Sequence, residues 1–165
     1  MQMLIRKAET SDLSLLVYLI KMLLSLHLNF DPDYYQLEDG IEITLRNWLI
    51  NYLDSQNQFI FVAETESITS YKNQSNLAGF ICGYLKNLYP WFKTKSVGHI
   101  SYLIVDPQFQ RRGIGRFLEN KAIEWFKAKS VNYVEVYVDE KNSFGYQAWN
   151  KYGYLPFKKF LKKKI

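Results

Sequence analysis

The sequence predicts an α/β domain of the α+β kind, with strands and amphipathic helices sharing one core. Three observations point there. A length of 165 residues suits a single domain, 1–165, with one substantial core. Two apolar runs, Gln58 to Ala63 and Leu77 to Leu85, read as an antiparallel hairpin with a long connection. A third, Ile100 to Val105, ends at Asp106-Pro107 and gives way to a glycine-bearing turn and a helical pattern.

Taken in order, Met3 to Lys7 reads as a short strand. Thr10, Ser11 and Asp12 are N-cap candidates for a helix whose apolar stripe is Leu13, Leu16, Val17, Ile20, Leu23, Leu24 and His27. Asn29-Phe30-Asp31-Pro32-Asp33 breaks it, and Tyr34, Tyr35 and the acids Glu38, Asp39 and Glu42 follow. A second helix is expected over about Glu42 to Leu53, with Leu45, Trp48, Leu49 and Tyr52 on one side. Glu64 to Asn76 is polar without apolar periodicity, a loop. Tyr89-Pro90-Trp91-Phe92 is a binding surface if exposed; the reading preferred here folds its rings onto the core.

Beyond the central turn, Ile114, Phe117, Leu118, Ala122, Trp125 and Phe126 recur at helical spacing. Val131 to Val138 alternates and is β-branched, a strand. Asp139 to Ser143 turns into a short helix with Ala148, Trp149 and Tyr152 on one side, closed by Gly153. Tyr154 to Leu161 is expected as a last strand.

Composition narrows the class. No run reaches the roughly 18–20 apolar residues of a membrane span, and no secretory signal is read at the N-terminus. The single cysteine, Cys82, allows no internal disulfide and no cysteine metal cluster, so no metal is expected and a cytoplasmic setting is. The net charge of +5 is uneven: Lys158, Lys159, Lys162, Lys163 and Lys164 crowd one end, as a solvated edge or as a match for an acidic partner. No nucleic-acid recognition motif accompanies them, so neither nucleic acid nor a membrane is an expected partner. Exposed edges and aromatics suit a homodimer.

The central turn, Gln110-Arg111-Arg112-Gly113-Ile114-Gly115, suits an anion. The first turn of a helix presents unpartnered N–H groups and a favourable dipole. Gly113 and Gly115 clear side chains from a phosphate's approach, and Arg111, Arg112 and Arg116 add charge. No Gly-Lys-Ser/Thr follows, and Leu118 stands where the dinucleotide fingerprint needs its third glycine, so this is neither a P-loop nor that fingerprint.

Gln110-x-x-Gly113-x-Gly115 after a strand ending Val105-Asp106-Pro107 resembles the acyl-CoA-binding signature of the GNAT N-acetyltransferase superfamily. The later helix and its Lys151-x-Gly153-Tyr154 exit resemble that family too. The resemblance implies a GNAT-like domain: a central, mixed, mostly antiparallel twisted sheet flanked by about four helices, its two central strands splayed apart. It implies that Leu103, Ile104 and Val105 offer main chain to the acyl-pantetheine part of acetyl-CoA. Gln110, Arg111, Arg112, Gly113, Ile114, Gly115 and Arg116 would hold the pyrophosphate, and Asn142 would contact the cosubstrate. The activity implied is direct acetyl transfer to a primary amine, on a small molecule or a peptide. The segment joining the first two helices would help form the acceptor site, and Asp31, Tyr34 and Tyr35 suit a cationic amine.

Two positions depart from that pattern. Where many members carry a strand glutamate, this chain has Ser101 and Tyr102; the nearest base is His99, with a structural strand histidine as the alternative. Where many carry a helix tyrosine as general acid, this chain has Trp149, and Tyr152 or Tyr146 could substitute, Tyr152 by its closer helical spacing. A non-catalytic acyl-CoA-binding or sensing module is therefore the alternative reading.

Overall fold

The computed structural model describes residues 3–65 and 77–165. Strand β1 (Met3–Lys7) leads through a 3-10 turn at Thr10–Asp12 into α1 (Leu13–Phe30), then α2 (Ile41–Asp54). The hairpin strands β2 (Gln58–Thr65) and β3 (Leu77–Asn87) are followed by β4 (Ser96–Val105), α3 (Ile114–Ala128), β5 (Val134–Val136) and α4 (Ser143–Lys151). Of the polar stretch expected as a loop, Glu64 and Thr65 extend β2, and residues 66–76 lie outside the described residues.

One sheet runs β1-β2-β3-β4-β5. Its first four strands are antiparallel neighbours, and β5 lies parallel to β4. A parallel pair needs a crossover, and α3 supplies it. The sheet is covered on both faces, which explains unbroken apolar runs such as 59–63. Ile60, Val62, Phe80 and Cys82 pack toward α1 and α2, against Leu16, Leu19, Ile20 and Leu49. Phe59, Phe61, Ile81 and Ile100 pack toward α3, against Ile114, Leu118, Ala122 and Phe126. At the start of α1, Asp12 is buried and receives both Arg6 Nη groups at 2.7 and 2.9 Å, while Arg6 Nε reaches Glu64 at 3.0 Å. That fork ties β1 and β2 to the first helix.

The register of β4 is the decisive local feature. Cys82 faces Tyr102 and Gly83 faces Ile100, so Ser101 is an extra residue, a β-bulge. The bulge turns both Ser101 and Tyr102 toward α2: Ser101 Oγ lies 3.0 Å from Tyr52 Oη, and the Tyr102 ring 5.7 Å from Trp48. On the other edge, β4 pairs with β5 only at Gly98–Val134, His99–Glu135 and Ile100–Val136. From Ser101 on, the two strands no longer pair, in keeping with the splay that the family resemblance implies.

Several expectations are corrected. The strand expected over Val131 to Val138 is only Val134–Val136, because Val131 turns into the α3-side core and the splay ends the pairing after Val136. Tyr154 to Leu161 forms no strand. Pro156 lacks a ladder donor, and Leu155, Phe157, Phe160 and Leu161 are exposed, not packed on a neighbouring strand. Phe117 is exposed and lies over Gly113 instead of joining the buried stripe. The Tyr89, Trp91 and Phe92 rings do not fold onto the core; they are exposed, with Tyr89 and Trp91 stacked at 4.7 Å. Thr10–Phe30, with a mean hydropathy of 1.7, is long and apolar enough to cross a membrane, against the expectation that no run is; here Leu13, Leu16, Val17, Leu19 and Ile20 of α1 are buried in the core.

Gly79 sits so close to β4 that a Cβ there would press into the Ile104 carbonyl oxygen and within 3.0 Å of Val105 Cα. Both are backbone atoms and cannot swing aside. Gly79→Ala is expected to cost about 1–3 kcal/mol, read from the midpoint of chemical unfolding.

Candidate functional site

The turn before α3 has geometry that suits an anion. Gln110 donates its amide from Nε2 to Val105 O at 3.0 Å, fixing the turn to the end of β4. Arg111 and Gly113 adopt left-handed backbone, with φ of 61° and 81°. The first intrahelical bonds of α3 are donated by Arg116 and Phe117 to Gly113 O, so the N–H groups of Ile114 and Gly115 precede the ladder. Arg112 stacks on Phe109 at 5.6 Å. A Cβ on Gly115 would lie 2.7 Å from Tyr152 Oη and 3.8 Å from Leu103 Cδ2. The bare backbone of this turn therefore abuts Leu103 and Tyr152 directly. Arg116 covers the Tyr152 ring at 5.2 Å.

Tyr152, just beyond α4, is half-buried, and burial and the nearby Glu119 carboxylate push its hydroxyl pKa up. Tyr146 is exposed. Trp149 packs into the α3-side core beside Tyr152 and Tyr154, a structural position. Asn142 caps α4, its Oδ1 accepting the Gly145 N–H at 2.8 Å. That leaves its amide as the group available for a ligand.

His99 lies on the other face of the sheet. It is buried between Tyr84 at 4.9 Å and Tyr137 at 4.7 Å. Its Nδ1 is 3.5 Å from Glu135 Oε1 and makes no hydrogen bond among the described residues. Burial pulls its pKa below the usual histidine value, while Glu135 opposes and Lys86 reinforces the fall. Glu135 is itself ion-paired with Lys86, whose Nζ also donates to Tyr137 Oη at 2.7 Å. His99 packs with Tyr84 on the α1/α2 side; Tyr152 meets Leu103 on the α3 side.

Sequence reasoning missed Glu135 and Glu119. Glu135 is found only through its parallel register with His99. Glu119 is a buried carboxyl on the apolar stripe of α3, 3.7 Å from Arg116 and accepting from Tyr154 Oη at 3.4 Å; burial raises its pKa. A glutamate at a stripe position was the available signal.

The α1–α2 connection carries the remaining expected residues. Asp31 closes α1, its N–H donating to His27 O at 3.1 Å, and its Oδ1 accepts the Tyr34 N–H at 3.2 Å. The Asp31 carboxylate ion-pairs with Lys162, which holds its pKa low. Tyr35 does not face an open site: it stacks on His27 at 5.1 Å and donates its hydroxyl to Asp139 Oδ2 at 3.2 Å. Among the described residues, no group of three His, Cys, Asp or Glu could hold a metal ion.

A family model described as Acetyltransferase (GNAT) family matches residues 21–154. A curated relative, an uncharacterised N-acetyltransferase of Methanocaldococcus jannaschii, is 33% identical over 79 residues, 46% of this chain and 33% of that protein. The match thus spans about a third of the length of that relative. A tetramutant of the BH1408 protein of Bacillus halodurans superposes with a TM-score of 0.83 at 19% identity, over 98% of this chain and 99% of that one. A predicted acetyltransferase of Clostridium acetobutylicum, solved with acetyl-CoA, superposes with a TM-score of 0.74 at 19% identity, over 99% and 96%.

The depressed His99 pKa has a signed consequence. The unfolded chain takes up a proton near the ordinary histidine pKa that folded His99 refuses. Its contribution is therefore intact above about pH 6.5 and lost as the pH falls from there through the folded pKa. The drop in thermal midpoint between about pH 7 and about pH 5 is expected to be smaller in His99→Asn than in the parent protein.

Proposed function

The chain belongs to the GNAT acetyltransferase family, and from that premise we propose that it transfers an acetyl group from acetyl-CoA to a primary amine. The observation that supports this best is the close approach of Gly115 to Leu103 and Tyr152, where β4 has left β5. The residues present fit the cosubstrate. The turn offers the Ile114 and Gly115 N–H groups, with arginines beside them, to a pyrophosphate. The β4 edge from Ser101 offers backbone groups that need a partner. The Clostridium acetobutylicum neighbour, which holds acetyl-CoA, shares this fold.

When bound, acetyl-CoA supplies an acetyl group activated as a thioester. The chain's own residues supply the rest. A lysine-like amine with a pKa near 10.4 is neutral in only about one molecule in 2,500 at pH 7, an obstacle of roughly 4–5 kcal/mol. His99 is the base that removes the ammonium proton. Its lowered pKa keeps it neutral and ready near pH 7, and the Glu135 carboxylate stabilises the imidazolium that results. The Tyr152 hydroxyl, on the opposite face beside Gly115 and Leu103, donates a proton to the departing sulfur. Asp31 and the Tyr34 ring receive the incoming cation.

A non-catalytic acyl-CoA sensor is the second reading, favoured by Trp149 in the structural position described above. Turnover separates the two.

Calorimetric titration with acetyl-CoA is expected to give low-micromolar binding. Gly113→Glu is expected to weaken it at least about tenfold, since a carboxylate enters an anion cradle at a left-handed position. Unchanged affinity in a folded Gly113→Glu protein would remove the cradle from the reading. Tyr152→Phe is expected to lower kcat by about 10²–10⁴ with acetyl-CoA affinity retained.

A further inference from the structure

The segment after α4 presents an unusual combination. Leu155, Phe157, Phe160 and Leu161 are each more than four-fifths exposed, so the segment is not held by apolar burial. It is held by its lysines. Lys162 Nζ ion-pairs with the Asp31 carboxylate and sits 4.7 Å over the Tyr34 ring. Lys164 Nζ lies 3.7 Å from Asp33 Oδ2. Phe160 meets Tyr137 at 6.4 Å, and Tyr137 packs on His99. The path therefore runs from the ring beside His99 to the α1–α2 connection, across the face assigned to the amine. A carboxylate beside an aromatic face is the chemistry that recognises an ammonium group. Two acids two residues apart meet two lysines two residues apart, a register that an extended polypeptide satisfies.

Resting on the acetyltransfer reading above, we infer that the acceptor is the side-chain amine of a lysine in a basic polypeptide segment bearing aromatic residues, received by Asp31, Tyr34 and Asp33. Lys162 holds that place in cis and is displaced by the acceptor. In the transfer, the lysine nitrogen forms a bond to the acetyl carbon and the thioester C–S bond breaks. The ammonium loses two protons in all: one goes to His99, and the other replaces the proton that the Tyr152 hydroxyl gives to the departing sulfur.

The test uses the full chain and a synthetic peptide of residues 157–165, titrated by calorimetry into the parent protein, Lys162→Gln, Asp31→Asn and the charge-matched control Lys159→Gln. Lys162→Gln is expected to bind the peptide about two- to fivefold more tightly than the parent, because an exposed competing ion pair is gone. Lys159→Gln is expected to match the parent, and Asp31→Asn to bind more weakly. With acetyl-CoA added, mass mapping is expected to place the acetyl group on the peptide lysine corresponding to Lys162. Equal peptide binding by the parent and Lys162→Gln overturns the inference. So does acetylation of spermidine with none of the peptide. In both cases, acetyl-CoA binding by the same preparations leaves the acetyltransfer reading standing. Absence of acetyl-CoA binding to the folded protein overturns that reading and the inference with it.

Discussion

Backbone hydrogen bonding along β4 is the constraint on which the site depends. A strand inside a sheet satisfies its N–H and C=O groups on both edges, and leaving buried ones unpaired is costly. Here β4 is paired with β3 along its whole length, but with β5 only from Gly98 to Ile100. The freed edge gives the site its shape: on one side the glycine turn and Tyr152, on the other His99 and the α1–α2 connection. The bulge at Ser101 falls where the pairing ends, and it turns two consecutive side chains toward α2.

Much of this was legible in the sequence because the signals are local. Asp106-Pro107 marks the end of a strand, and glycines at 113 and 115 mark a helix start that must stay bare. The apolar periodicities of α1, α2 and α3 report faces that are buried. The four helices and the antiparallel β2–β3 hairpin follow from such signals, and the mixed sheet with its splay follows from the family resemblance. What stayed hidden depends on partners far along the chain. The length of β5 is set by the splay, not by the β-branched residues of Val131 to Val138. Phe117 has the spacing of a core residue, yet packs over the turn that Gly113 opens. The exposure of Tyr89, Trp91 and Phe92 follows from a hairpin that projects past its neighbours and stacks its rings on each other.

The candidate site was legible unevenly for the same reason. Its anion cradle is contiguous, six residues whose chemistry is visible without a fold. Its titratable side chains are assembled from β4, β5, α3 and the end of α4. Glu135 has no signal of its own; it matters because parallel pairing puts it opposite His99. Tyr35, beside Asp31 in sequence, is drawn away by His27 and Asp139, whereas Tyr34 remains over a cation. Asp31, a helix-end residue by its backbone, acquires its second role from a lysine 131 positions away.

Cys82 lies at the centre of the sheet, fully buried, and burial pushes its thiol well above the usual range. A sulfur held protonated and out of reach does not react with aromatic disulfides or maleimides while the sheet is intact. While the sheet is intact, the folded protein is therefore silent to the reagents that colour a released coenzyme thiol. The same sulfur becomes a clock for opening of the β3–β4 pair. Its labelling rate reports how often the centre of the sheet separates, with no added probe.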